Sequence, residues 1–120
     1  MKEIIAIIRM NKMQKTKNAL AGVDCPSMTA NKVLGRGKQK GLQLLQPEIK
    51  PEERKWNGMR MKYIPKRMLS IVVDDAEVDK IVKTIIRVNR TGEIGDGKIF
   101  ICPLEDAIRV RTGERGEEAI

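Results

Sequence analysis

The strongest constraint on the fold is a helical pattern in the second half of the chain. Five apolar residues and one asparagine recur at the spacing of a single helix face: Val78, Ile81, Val82, Ile85, Ile86 and Asn89. Asp74 or Asp75 stands just before them, where an N-cap residue would lie. The pattern therefore predicts a helix that buries one face.

Four short runs rich in β-branched or apolar residues predict strands: Glu3–Arg9, Ser27–Leu34, Met68–Val73 and Lys98–Cys102. A first helix is predicted between Asn11, its N-cap, and Gly22, with a thin apolar stripe that includes Thr16. The order βαββαβ is that of ferredoxin-like folds. We therefore predict a single α+β domain over residues 1–120, a ferredoxin-like βαββαβ sandwich. The sheet face without helices needs cover, and another copy of the chain is the natural cover.

Periodicity fails between the second and third predicted strands. Glycines, two prolines and many charges fill this stretch, and we predict a flexible loop at about 37–62. Its apolar residues either pack on the base of the loop or are presented to a partner: Leu42, Leu44, Leu45 and Trp56. A polar, charged tail is predicted at about 103–120.

Composition excludes several classes of function. The net charge is +8, but the basic residues are scattered and the chain has one Trp, one Tyr and one Phe, too few for stacking on nucleic acid. The charge suits smaller phosphates or an acidic protein instead. The chain has no histidine and its two cysteines are far apart, which argues against zinc and histidine catalysis. No apolar run reaches eighteen residues, so we expect no membrane insertion. The two separated cysteines are expected to be free thiols in a reducing cytoplasm.

The stretch TGEIGDGKIF, residues 91–100, contains a glycine-rich turn followed by Lys98. Gly92 and Gly97–Lys98 match the first part of a P-loop, but Ile99 stands where that motif needs Ser or Thr, and a strand follows in place of a helix. The turn is therefore either a cradle of backbone amides for an anion or a tight connection that merely needs glycine.

Two further cationic elements accompany this turn. GRGKQKG, residues 35–41, is a second glycine-rich turn. In IRVRTGE, Arg109 and Arg111 alternate, which predicts two guanidinium groups on one face of an extended segment. Solvated surface arginines are the alternative, but three such elements favour a polyphosphate ligand.

These stretches resemble the PII nitrogen-regulatory signal proteins. TGEIGDGKIF is similar to their C-terminal signature, SMTANKVLGRGKQKG to their GMT and GxGRQKG motifs, and IRVRTGE and the terminal EEAI fit as well. The resemblance covers essentially the whole chain. It implies a homotrimer with ATP or ADP in each cleft between subunits, the arginine pair coming from the neighbouring chain.

The resemblance also implies the site residues. The nucleotide-binding positions are Thr29, Gly35, Gly37, Lys38, Gln39, Gly95, Asp96, Gly97, Lys98, Arg109 and Arg111. The 2-oxoglutarate-binding positions are Gln39, Lys40, Gly41 and Lys66. Gln39 would also bind the Mg²⁺ that joins this effector to the ATP phosphates. No catalytic residue is implied, and we expect at most slow, incidental ATP hydrolysis, with Asp96 able to orient water.

The sequence departs from the family pattern in four places. Lys38 replaces the usual Arg, Arg36 replaces an aromatic residue, and Ser70 stands where Glu is common, which leaves one ribose contact in doubt. The loop lacks the YRGAEY segment and Tyr63 lies at its base, so control by tyrosine modification is not expected. Such a remodelled loop resembles that of the nitrogen-fixation subfamily of PII proteins, which is found in archaea and some anaerobic bacteria. Of the two paralogues in that subfamily, the one with the longer loop is the more similar.

The function implied is a sensor of nitrogen status. We expect it to inhibit a nitrogenase component by direct contact, with relief by 2-oxoglutarate that shifts the loop between two states. The alternative is regulation of an ammonium transporter or of another nitrogen-assimilation protein. The trimer would consist of this chain alone or of a mixture with a paralogous PII chain.

Overall fold

The structure, a computed structural model, describes residues 1–36 and 63–120. Its strands and helices, in chain order, are β1 Lys2–Arg9, α1 Met13–Gly22, β2 Thr29–Gly35, β3 Ile64–Val73, α2 Val78–Asn89 and β4 Lys98–Pro103. All strand pairs are antiparallel, in the order β2-β3-β1-β4. The predicted ferredoxin-like βαββαβ arrangement is confirmed. The loop predicted at 37–62 lies outside the described residues.

The core lies between the sheet and the two helices. Alternate residues of β1, Ile4, Ala6 and Ile8, are at most 2% exposed because a strand turns every second side chain to the same face. They pack in one apolar cluster with Leu20 of α1 and Ile81 of α2. The helical pattern that predicted α2 therefore marks the face that α2 buries.

Both helices begin differently from the prediction. Asn11 lies inside a short 3-10 turn, Met10–Lys12, and α1 begins only at Met13. A similar turn, Asp75–Glu77, precedes α2, and no aspartate side chain caps it. Because the backbone N–H of Glu77 bonds to the carbonyl of Asp74, at 2.9 Å, the turn meets part of the capping need without a side chain.

Strand β3 begins four residues before the predicted start, at Ile64, and includes Pro65. A proline lacks the N–H that a central strand needs. Pro65 is tolerated because β1 pairs with β3 only as far as Lys66, so Pro65 has a neighbour on the β2 side alone, Leu34.

A buried polar contact joins the two helices. Asn89, on the core face of α2, is 5% exposed, and Thr16 of α1 is fully buried. The Asn89 amide nitrogen donates to the Thr16 hydroxyl at 3.0 Å and to the carbonyl of Ile85 at 2.9 Å. The asparagine in the predicted apolar pattern thus fixes how α1 and α2 meet.

We call the face of the sheet opposite the helices the open face, and it carries both apolar and charged side chains. The strand register places five apolar side chains together on it: Ile5, Ile7, Met68, Val72 and Phe100. Phe100 is 50% exposed. Within the described residues, neither helix has the length and apolar character needed to cross a membrane.

Candidate functional site

The turn at residues 91–97, here called the glycine turn, connects α2 to β4. Gly92, Gly95 and Gly97 all have positive φ, +87°, +105° and +109°. A Cβ on Gly97 would lie 1.8 Å from the carbonyl oxygen of Ile7, so only glycine lets the chain pass β1 at this point. At Gly97, therefore, the turn approaches the chain itself.

Asp96 holds the glycine turn together. Its carboxylate accepts hydrogen bonds from the Thr91 hydroxyl at 2.5 Å, the Thr91 N–H at 2.8 Å and the Gly92 N–H at 2.9 Å. The Arg9 guanidinium adds a fourth contact at 2.6 Å. Burial alone would raise the pKa of Asp96, but the hydrogen bonds from Thr91, Arg9 and Gly92 hold it well below its usual range. Asp96 was predicted as a nucleotide-site residue, and its oxygens are engaged within the turn.

Lys66 lies between the glycine turn and Gly35, the first residue of the second glycine-rich stretch. Its side chain is buried, 5% exposed, and its Nζ donates to the carbonyl of Gly95 at 2.6 Å. A Cβ on Gly35, at the end of β2, would lie 3.7 Å from Cγ of Lys66. Burial, and then the charge of Arg9, lower the pKa of the Lys66 ammonium, while Asp96 acts in the opposite direction. The structure thus brings Gly35, Lys66, Gly95 and Asp96 together.

Arg9 belongs to this cluster, although no sequence motif marks it as a site residue. It is the cross-strand partner of Lys66, and its Nη2 also donates to the carbonyl of Ile94 at 3.1 Å. Among the residues that the structure describes, Arg9 and Lys66 together face one close carboxylate, Asp96. This part of the cluster therefore carries excess positive charge, which favours an anion. Arg9 could be assigned to the site only from the pairing register of β1 with β3, and that register cannot be read from the sequence.

Lys98 and Thr29 lie on opposite edges of the sheet. Lys98 is exposed at the start of β4, opposite Ile7 and on the same sheet face as Arg9 and Lys66. Thr29 begins β2, with β3 and β1 between it and β4. Three strand spacings of about 4.8 Å put roughly 14 Å between these edges. A single chain does not bring Thr29 to the glycine turn.

The segment of Arg109 and Arg111 was predicted to be extended, and this is wrong. Residues 110–112 form a turn, since the N–H of Gly113 donates to the carbonyl of Arg109 at 2.7 Å. Gly113 has φ +76°, which allows the chain to reverse there. The Arg109 guanidinium is ion-paired with Glu114 at 2.8 Å, whereas Arg111 is exposed. The tail is thus a small hairpin, with Ile108 bridged to Arg115.

Part of the predicted site cannot be placed. The residues of the second glycine-rich turn beyond Arg36 lie outside the described residues: Gly37, Lys38, Gln39, Lys40 and Gly41. The role of Gln39 in binding Mg²⁺ therefore stays a prediction. Within residues 1–36 and 63–120, no group of three or more His, Cys, Asp or Glu side chains could hold a metal.

Ser70, which replaces a common glutamate, has a carboxylate beside it. Its hydroxyl donates to Glu3 of β1 at 2.6 Å. Both residues lie on the open face, because Ser70 is paired with Ile5 and Glu3 with Val72. A carboxylate is therefore present near this position, supplied by a neighbouring strand.

Comparisons with known proteins test the family resemblance of the chain. The protein-family model described as "Nitrogen regulatory protein P-II" matches residues 1–114. The chain belongs to this family. A similar protein of Methanothermobacter marburgensis, named "Nitrogen fixation nifHD region GlnB-like protein 2", is 51% identical to this P-II chain, with all of both chains covered. A protein of Methanococcus maripaludis with the same name is 54% identical, also over all of both chains. "Nitrogen regulatory protein P-II 2" of Methanothermobacter thermautotrophicus is 43% identical over the whole chain and 97% of its own length.

These names support the resemblance to the nitrogen-fixation group of the family. The relatives at 51% and 54% identity are named for the nifHD region, and the relative at 43% carries the general name. The chain is therefore a P-II nitrogen regulatory protein of the nitrogen-fixation subfamily.

Proposed function

We propose that this P-II protein senses nitrogen status by binding ATP or ADP together with 2-oxoglutarate, and that it regulates a target by direct contact. The observation that carries the proposal is the buried ammonium of Lys66, which lies beside Gly35 and bonds to Gly95. Lys66 therefore lies beside one residue of each predicted phosphate-binding stretch, Gly35 and Gly95.

The nucleotide site would be shared between two chains. The glycine turn and Lys98 would form one wall, and Thr29, Arg109 and Arg111 of a neighbouring chain would complete it. This division is supported by the wide separation of Thr29 and Lys98 within one chain. A homotrimer with three such sites would also cover the open face.

2-Oxoglutarate would bind at Lys66. Since Arg9 and Lys66 outnumber Asp96, a dicarboxylate would compensate charge that the described residues leave in excess. Gln39 and a bound Mg²⁺ would link this effector to ATP, because an amide oxygen is a suitable ligand for a hard cation.

The target would be a nitrogenase component, inhibited by direct contact and released by 2-oxoglutarate. The nifHD-region names of the relatives above 50% identity support this choice. The loop at 37–62, with Trp56, would present the contact surface. An ammonium transporter is the alternative target.

Calorimetry with ATP, Mg²⁺ and 2-oxoglutarate tests the ligands. We expect 2-oxoglutarate to bind only when Mg-ATP is present, and Lys66→Ala to abolish that response even at ATP concentrations that saturate the variant. As a matched control, Lys83→Ala removes an exposed charge from α2 and should leave both ligands unaffected. Effector binding that is unchanged in Lys66→Ala would refute the proposed site.

Capture on the immobilised protein tests the target. Extracts of nitrogen-fixing cells are passed over it with Mg-ATP, with and without 2-oxoglutarate, and the bound proteins are identified by mass spectrometry. We expect a nitrogenase component that elutes when 2-oxoglutarate is added. Recovery of an ammonium transporter from the membrane fraction in its place would favour the alternative target.

A further inference from the structure

The register pair Arg9 and Lys66 binds three consecutive residues of the glycine turn. Arg9 donates to the Ile94 carbonyl at 3.1 Å and to the Asp96 carboxylate at 2.6 Å. Lys66 donates to the Gly95 carbonyl between them, at 2.6 Å. We call these two cations and their three contacts the cation clamp. Side chains from two adjacent strands, β1 and β3, therefore bind residues 94–96 to the sheet.

The clamp reaches the first half of the turn through Asp96. While Asp96 accepts from Arg9, it also accepts the N–H groups of Thr91 and Gly92. The Thr91 hydroxyl in turn accepts the N–H of Glu93 at 3.1 Å. The Arg9 guanidinium is thus connected through Asp96 and Thr91 to the backbone N–H groups of residues 91–93.

We propose that Arg9 is a positioning residue for nucleotide binding, which acts through Asp96 and the glycine turn without touching the nucleotide. The inference rests on the proposed function, in which Gly95–Lys98 faces the phosphates. Arg9 fixes where those backbone amides point, and pre-orientation of donors is what a phosphate site requires. Lysine would be a poor replacement, since one ammonium lacks the planar fork that reaches both Asp96 and Ile94.

A double-mutant cycle separates positioning from direct contact. ATP affinity is measured by calorimetry for Arg9→Gln, Asp96→Asn and the double variant. We expect each single substitution to weaken ATP binding about tenfold, and the double variant to be weakened far less than the roughly hundredfold that independent effects would give, because Arg9 acts mainly through Asp96. If Arg9 contacts a phosphate itself, Arg9→Gln will still cost about tenfold in the Asp96→Asn background, and that result overturns the proposal.

Two further variants sharpen the cycle. Arg87→Gln removes the same charge from an exposed position on α2 and should leave ATP affinity unchanged. Arg9→Lys keeps the charge but loses the fork, so we expect it to recover only part of the affinity lost in Arg9→Gln. Full recovery by lysine would show that charge alone matters and would refute the role of the two-pronged contact.

Amide hydrogen exchange in the nucleotide-free protein tests the clamp independently of ligand binding. We expect Arg9→Gln to accelerate exchange of the Thr91 and Gly92 amides at least about fivefold, with the core amide of Ile85 unchanged. Unchanged exchange at Thr91 and Gly92 would refute the clamp even if ATP binds. Accelerated exchange in a protein whose parent binds no ATP would instead refute the proposed function, and leave the clamp established.

Discussion

Lys66 and Asp96 are both charged residues of the candidate site, but their surroundings differ. The Lys66 ammonium donates to a neutral carbonyl, so a carboxylate could still approach it as a charge partner. The Asp96 carboxylate accepts from four donors of its own chain. Lys66 is therefore the better candidate for a ligand contact, and Asp96 for maintaining the shape of the turn.

Lys98→Ala should weaken ATP binding. Lys98 is exposed next to Gly97, and loss of a charge-assisted contact to phosphate should cost about 1.5–3 kcal/mol of binding free energy. Calorimetry with Lys83→Ala as the charge-matched control measures this loss. Equal affinity in the parent and in Lys98→Ala would remove Lys98 from the phosphate site.

Asp96 should make the stability of the protein depend on acid pH. Its pKa in the folded state is lowered from 3.8, so its contribution is fully present above that pH and is lost as the pH falls below it. Urea unfolding should show the parent more stable than Asp96→Asn at neutral pH, with a margin that shrinks on acidification. Glu105→Gln, at an exposed position after β4, is the control and should show no such margin. If the difference in unfolding free energy between the parent and Asp96→Asn does not change with pH, the lowered pKa of Asp96 is contradicted.

Sequence patterns single out individual candidate residues only where a local motif surrounds them. Lys98 and Gly97 belong to a glycine-rich motif, and Lys66 follows a proline in a recognisable stretch. Arg9 was read only as the end of an apolar run, because its contacts are to residues more than eighty positions away. Such contacts depend on strand register, which no local pattern encodes.

Secondary-structure elements, too, were predictable from the sequence only where a local pattern determines them. The order of strands and helices was predictable, because hydrophobic periodicity differs between them. The extent of β3 was not, since Pro65 is acceptable only where β1 has already ended. The extended conformation expected for Arg109 and Arg111 failed because Gly113 reverses the chain, and the interaction of Asp106 with Arg115 at 3.2 Å supports the resulting hairpin.

Asn89→Ala should destabilise the packing of α1 on α2. The substitution removes the buried hydrogen bond to Thr16, and we expect a loss of about 1–3 kcal/mol in the free energy of unfolding. Chemical denaturation measures it, with Asn18→Ala as the control, because Asn18 is exposed on α1 and bonds only to Gln14 among the described residues. If the two variants lose the same free energy, the buried contact contributes nothing of its own.

At the scale of the molecule, the described residues expose apolar side chains on the open face and on the tail hairpin. Phe100 on the open face is 50% exposed, and Val110 at the tip of the tail hairpin is 98% exposed. Exposed apolar surface of this kind is typical of an interface between chains. It supports assembly of the P-II protein into the proposed trimer.

Phe100→Lys should disrupt that assembly. Light scattering after size exclusion should give the parent a mass of three chains of 13.6 kDa, and the variant a smaller mass. Ile101→Lys is the matched control, because Ile101 is 49% exposed on the same strand but points to the helix side of the sheet. A parent that elutes as a single chain would contradict the trimer, and dissociation by Ile101→Lys alone would place the interface on the helix side.

The contact of Gly97 with Ile7 also bears on how this family can evolve. Any side chain at position 97 would collide with the backbone of β1, whatever the protein binds. A descendant that had lost its ligand would still be under selection to retain this glycine, whereas Lys98 beside it, exposed to solvent, would be free to drift. The divergence of these two neighbouring positions among distant relatives would therefore distinguish lineages that kept the ligand from those that kept only the fold.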